Sequence, residues 1–421
     1  MIIAIIIVFI IGYLFITLEH SINLNKTATA LLTGVVCWSL YAISSTDNHL
    51  VVEELSHHLA GIAEIAFFLL GAMTIVELID AHQGFGVITE RIHTKDTRLL
   101  LWIISILTFF LSAVLDNLTT AIVMVSLLRK IIRDDEMRRF FAGIVIIAAN
   151  AGGAWSPLGD VTTTMLWIGG QISAVNIMKM LFIPSLISLT VPLIYLSFKL
   201  KGSIQLPKTS KKSSIEEVSA FERNTMFVVG LGMLLFVPVF KTVTHLPPYM
   251  GILLALGVVW ATSEFLHSKK DEEDRKPFTA GHALSKIDTS SILFFMGILL
   301  AIGVLEVTHT LSDLAGWMND TIGNLDAIVF IIGIASAVID NVPLVAASMG
   351  MYDLATYPQD HRIWEFLAYC AGTGGSMLII GSAAGVAVMG MEQISFFWYL
   401  KRISLLALLG YVAGAVVFLV M

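Results

Sequence analysis

Two acid–amide pairs carry the first chemical signal in this sequence. Asp116-Asn117 closes the phrase Ser112-Ala113-Val114-Leu115-Asp116-Asn117, and Asp340-Asn341 closes Ser336-Ala337-Val338-Ile339-Asp340-Asn341, with five of the six residues identical. Both pairs end long apolar runs. A carboxylate at the centre of a bilayer costs on the order of 3 kcal/mol by insertion scales, so it persists where it faces protein, water or an ion. Thr119 and Thr120 follow the first pair, and Pro343 follows the second. A third acid lies in Asn150-Ala151-Gly152-Gly153-Ala154-Trp155-Ser156-Pro157-Leu158-Gly159-Asp160-Val161-Thr162-Thr163-Thr164. There the glycines and Pro157 interrupt a helix and free backbone groups. Its counterpart in the second half contains Thr373-Gly374-Gly375-Ser376 and Gly381-Ser382, with Ser382 where the first copy has Asp160. Carboxylates, amides, hydroxyls and freed carbonyls make an all-oxygen shell suited to a hard cation. Three carboxylates brought together cannot all stay ionised without cations, which suits competition between a proton and a metal ion. The plainer alternative is that each acid caps a helix and that the threonine hydroxyls bond to backbone.

The elements that must position these groups are membrane spans. Of the 421 residues, 57% are hydrophobic and 14% charged, with mean hydropathy +0.85, outside the range of soluble globular chains. Apolar runs suited to crossing a ~30 Å hydrocarbon core occupy 2–18, 27–44, 59–79, a run from 99 broken at Asp116, a run from 140 broken near Gly152, and 177–199. They recur as 225–242, 248–266, 289–305, a run from 326 broken at Asp340, a run from 364 broken near Gly374, and 396–420. The first run lacks a basic flank and a small-residue cleavage site, so it reads as a retained span. Cys37 and Cys370 lie in apolar runs and imply neither disulfide nor metal site. The eleven histidines fall near span ends or in loops. Of these, His20, His57, His58 and His93 are candidates for surface pH sensing. The sequence lacks the His-Glu-x-x-His, Gly-x-Ser-x-Gly and Gly-x-x-x-x-Gly-Lys patterns, so enzymatic chemistry, ATP hydrolysis, a bound cofactor and nucleic-acid binding have no support.

The matched order of runs predicts an all-α polytopic protein of two related halves. The first repeat covers 1–199, with a hairpin at about 99–132 and a broken span at about 140–171. A cytoplasmic linker occupies 200–223. The second repeat covers 224–421, with a hairpin at about 326–351 and a broken span at about 364–390. If each hairpin enters and leaves on one side, each half has five crossings and the halves are inverted. All but three of the 25 Lys and Arg then lie on one face, the exceptions being Lys179, Lys241 and Arg362. The positive-inside bias makes that face cytoplasmic and sends both termini outward. Twelve full crossings would scatter the basic clusters.

The hairpin tip Asp116-Asn117-Leu118-Thr119-Thr120, the stretch 155–164 and the phrase 336–343 resemble the ion transporter superfamily, and within it the NhaD-type sodium/proton antiporters, over essentially the full length. The resemblance implies inverted repeats, two re-entrant hairpins, a scaffold that forms a homodimer in a bacterial inner membrane, and a transport domain that moves as an elevator. It implies exchange of Na⁺ and Li⁺ for H⁺, with the cation bound by Asp116, Asn117, Thr119, Asp160, Thr162, Thr163, Ser336, Asp340 and Asn341. Thr120, Ser156, Ser376 and Ser382 are added as neighbouring oxygen donors. Superfamily members that carry anions have Ser-Asn-Thr at the tips; here Asp occupies both serine positions, which disfavours a dicarboxylate by repulsion. A sodium-coupled anion or oxyanion transporter is the competing reading, and an intramembrane hydrolase a more distant one.

Overall fold

The computed structural model describes residues 2–22, 24–89, 92, 94, 96–200, 202 and 218–421, the side chains of His20, Ser21 and Thr89 excepted. Arg91, His93, Lys95 and most of the expected linker lie outside the described residues, as does the side chain of His20. Every regular element among the described residues is helical. Among the described residues seven helices are long and apolar enough to cross a membrane, or nine if two bent pairs each count as one span. Their outward faces carry residues such as Leu32, Val228, Phe265 and Leu405 in exposed positions. Water would not tolerate so much apolar surface, and lipid does. The chain is a multi-pass membrane protein.

Both acid–amide pairs fall at helix breaks. The stretch expected as the first hairpin is Thr97–Leu115 and Asn117–Ile131, broken at Asp116. The stretch expected as the second is Leu325–Ala335 and Asn341–Met351, separated by a turn over 336–340. The first broken span is Asp135–Ala154 followed by Val161–Ile168, and the second is Arg362–Gly374 followed by Ala383–Glu392. The run expected at 59–79 belongs to a longer helix, Asn48–Ala81, capped by Asp47. A helix that hydropathy alone does not announce, Thr310–Ile322, meets the next helix at 114°. It buries Leu311 and Ala315 while Leu314 and Trp317 stay exposed, the pattern of a helix lying along a membrane surface.

The helices sort into two packed groups. Ile2–Thr17, Lys26–Ser44, Asn48–Ala81, Ala220–Thr244, Pro248–Leu266 and Thr289–Val307 pack on one another; the hairpins and broken spans pack with Ala174–Lys199 and Ser404–Val420. The groups meet where Asn48–Ala81 touches Val161–Ile168 and where Thr289–Val307 touches Asn341–Met351. Within the second group both halves repeat the same seating. Ser112 Oγ donates to the Ala149 carbonyl at 2.6 Å and Ser336 Oγ to the Ala371 carbonyl at 2.8 Å. Gly159 approaches the Ser112 carbonyl as Gly381 approaches that of Ser336.

Glu392 ties the halves together at one end of this group. Its side chain is 1% exposed and accepts from Arg129 Nε and Arg138 Nε, each at 2.7 Å. The arginine side chains are 47% and 19% exposed, so removing the acid leaves charges that water still reaches, and the loss is that of two charge-assisted hydrogen bonds, about 1.5–3 kcal/mol each at most. Glu392→Gln is therefore expected to lower the thermal midpoint of the purified protein markedly; an unchanged midpoint would show the network to be dispensable.

At the loop following Pro248–Leu266, His82 and His267 form a buried pair, with Nε2 atoms 2.9 Å apart, stacked on Phe278. His82 Nδ1 lies 2.7 Å from the Leu78 carbonyl. It can only donate there, which leaves His82 Nε2 to accept from His267. Glu222 and Lys270 border the pair, and the Ser263 hydroxyl lies 3.4 Å from His82 Nε2. Burial pushes the His82 imidazole down to about 4, and burial and then Lys270 push His267 down as well. A depressed histidine stabilises the fold above the unfolded-state value of about 6.5, and that contribution is lost as pH falls toward 4. Thermal midpoints should drop over that window, by on the order of 3 kcal/mol in stability. His82→Phe should flatten the dependence.

Candidate functional site

Three acids stand at three helix N-termini. Asp116 caps Asn117–Ile131, with Thr119 N and Thr119 Oγ1 each donating to its carboxylate at 2.8 Å. Asp160 caps Val161–Ile168 through Thr162 N at 3.0 Å, and Asp340 caps Asn341–Met351 through Val342 N at 3.3 Å. Capping accounts for one oxygen of Asp160 and one of Asp340, and the second oxygen of each is engaged elsewhere.

The second oxygen of Asp160 is where the halves meet. Asn117 Nδ2 donates to Asp160 Oδ2 at 2.6 Å, and Asn341 Nδ2 donates to the same atom at 3.2 Å. Asp160 is 2% exposed. The tip residues that converge are thus the two asparagines, with the acid of the broken span between them. Asn117 Nδ2 also donates to Asn150 Oδ1 at 3.0 Å, and Asn150 Nδ2 donates to Ser376 Oγ at 2.9 Å and Ser382 Oγ at 3.0 Å. Asn150 is fully buried and links the first tip to both broken spans. It is absent from the site expected on sequence grounds; its signal is an amide inside a long apolar run, one residue short of Ala151-Gly152-Gly153.

Other expected donors take local tasks. Ser156 Oγ donates to the Ala113 carbonyl at 2.5 Å, Thr163 Oγ1 to the Asp160 carbonyl at 2.9 Å, and Ser336 Oγ to Ala371 as above. These hold the breaks in shape. Thr120 Oγ1 and Thr162 Oγ1 are buried with no hydrogen-bond partner among the described residues, so both hydroxyls retain ligating capacity. Asp116 has φ +81° and ψ 158°, a backbone state that costs a non-glycine residue on the order of 1–3 kcal/mol. Asp340 has φ −48° and none of that strain. Asp340 Oδ2 lies 3.5 Å from Lys26 Nζ, a partner that the charge map alone places only as a loop lysine.

A cavity of 20 Å³ separates the two helix groups, lined by Asp116, Asp160 and Thr164 on one side and by Phe68, Met73 and Ile252 on the other. That is room for one water molecule or one small cation. Among the described residues no three His, Cys, Asp or Glu side chains cluster as a metal site. A cation held here would need amide, hydroxyl and carbonyl oxygens besides the carboxylates, as hard-cation shells do.

Broken helices whose ends converge on a buried carboxylate inside a multi-pass helical protein define a transporter. The citrate transporter family profile, CitMHS, matches residues 5–365, and the chain belongs to that family. It is 51% identical to Sodium/proton antiporter 1 of Arabidopsis thaliana over 99% of its own length and 72% of that protein. It is 50% identical to Sodium/proton antiporter 2 of the same plant, over 97% of each chain. It is 30% identical to the Na⁺/H⁺ antiporter NhaD of Alkalimonas amylolytica, over 98% of this chain and 89% of that one. The family and these relatives are transporters and antiporters rather than enzymes, and the NhaD-type resemblance read from the motifs stands.

Proposed function

We propose that the chain exports Na⁺, and also Li⁺, in exchange for H⁺, by competition of proton and cation for Asp160 and Asp116. The observation that carries this reading is the single acid Asp160, held between the amides of both hairpin tips and sharing a cavity of one-ion size with Asp116. Relatives named as sodium/proton antiporters over the whole length support it. A second reading is sodium-coupled anion transport, and the family description supports citrate as the anion. Helix N-termini attract anions, so three of them around one site would suit citrate if they were uncompensated. Here each already holds a carboxylate of the chain itself, and a further anion would meet repulsion.

In this reading the two halves are inverted repeats, Asn48–Ala81 and its neighbours form a dimeric scaffold, and the hairpin group moves past it as an elevator in an inner membrane, both termini facing outward. No cofactor is required. In proteoliposomes carrying a preset ΔpH, Na⁺ and Li⁺ should collapse the gradient while citrate and K⁺ leave it. Sodium-driven citrate uptake without Na⁺-dependent loss of ΔpH would replace this reading with the second.

A further inference from the structure

We propose that Lys26 is a positioning residue of this exchange: its ammonium is a tethered counter-cation for Asp340, and a cation that takes Asp340 as a ligand must displace it. The proposal rests on the cation-exchange reading and adds a competitor built into the protein.

Lys26 is the first residue of Lys26–Ser44. A cation at a helix N-terminus opposes the macrodipole, so local helix stability gives no reason for a lysine there. The reason lies across the boundary between the helix groups. Lys26 Nζ sits 3.5 Å from Asp340 Oδ2 and 4.5 Å above the ring of Phe294, which is fully buried. Asp340 belongs to the second hairpin, and Lys26 and Phe294 belong to the opposite group, so this contact, like that of Lys241 Nζ with the Trp167 carbonyl at 2.9 Å, spans the surface along which the groups would slide.

The surroundings mark it as a barrier on an ion route. A cavity of 230 Å³ is lined by Glu19, Asn25, Lys26, Asp288 and Ser290 from one group and by Leu118, next to Asn117, from the other. Glu19 and Asp288 give this vestibule a negative lining that gathers cations. Among the described lining residues the basic one is Lys26, with its charge turned onto Asp340. The pair is displaceable: its length of 3.5 Å is long for a charge-assisted bond.

The test uses full-length purified protein and two readouts, ΔpH collapse in proteoliposomes and the Na⁺-dependent rise of the thermal midpoint. Lys26→Gln and Lys26→Met should lower the half-saturating Na⁺ about five-fold in both, whereas Lys26→Arg stays at the wild-type value. In an Asp340→Asn background, Lys26→Gln should produce no further shift; the thermal readout remains informative there even without transport. Wild-type half-saturation in Lys26→Gln, or an undiminished shift in the Asp340→Asn background, overturns the proposal. So does loss of folding in both neutral variants with Lys26→Arg intact, which would make the pair purely structural. A wild-type protein that shows no Na⁺ response in either readout overturns the exchange reading itself, whereas a responding wild type with an unshifted half-saturation in Lys26→Gln removes only the role of Lys26.

Discussion

Asp160→Asn is expected to abolish Na⁺-dependent collapse of ΔpH while leaving a folded protein. The substitution keeps size and helix-capping ability, because asparagine caps as well as aspartate does. It removes the charge and, with it, one acceptor oxygen. Asp160 accepts from Asn117, Asn341 and Thr162 N, and an asparagine facing the same three donors must turn its own NH₂ toward one of them. A modest fall in thermal midpoint, on the order of 1 kcal/mol, should accompany the change. The loss of exchange should be far larger. A contact to a charged group worth up to about 3 kcal/mol corresponds to a factor of about 100 in rate, and a group that no longer titrates cannot carry the proton at all. Asp116→Asn should be less complete, since Thr119 occupies both of its oxygens. Full exchange by the Asp160 variant, measured in inverted vesicles with Na⁺ and Li⁺, would move the site elsewhere.

What the sequence discloses and what it conceals follow from range. Hydropathy locates a span to within a few residues because burial in lipid is a local property of the chain: 27–44 against Lys26–Ser44, 248–266 against Pro248–Leu266. The breaks are legible for a similar reason, since Gly-Gly and Asp-Asn disturb a helix wherever they fall. Partners far apart in sequence are not. Asn150 and Ser382 are joined by a hydrogen bond, as are His82 and His267 and Lys26 and Asp340, and no periodicity connects such residues. The repeated phrase draws attention to Asp116 and Asp340 as the groups that would meet. An aspartate at a helix N-terminus has a competing local use, capping, and both acids take it. The neighbouring asparagines, whose amides face inward, make the contacts to Asp160, and Asp340 reaches Lys26 with its second oxygen. Asymmetry between the halves is visible in Ser382 standing opposite Asp160, and the structure gives it a meaning: one half supplies the acceptor that both tips share, the other supplies hydroxyls to Asn150.

Gly374→Ala is expected to unseat the second hairpin. A Cβ at Gly374 would lie 2.0 Å from the Gly333 carbonyl oxygen and 2.9 Å from its carbon. Both are backbone atoms of the hairpin's first arm, so no side-chain rotation relieves the clash. The first half has the same construction, Gly152 against the Phe109 carbonyl at 2.2 Å, and Gly152→Ala should behave alike. Overpacking against rigid backbone costs about 3 kcal/mol or more. Relief requires the hairpin to move away from the broken span. That displacement pulls Ser336 Oγ from the Ala371 carbonyl and withdraws Asn341 from Asp160, so residual folded protein should lose Na⁺ dependence together with stability. Gly257 and Gly316 lie in helices where an added methyl would meet nothing within 4 Å, and alanine there should be neutral or stabilise by about 0.5–1 kcal/mol. The four thermal midpoints form the test: wild-type values for Gly374→Ala and Gly152→Ala would mean that the tips are not held against the broken spans, and the convergence on Asp160 would lose its support.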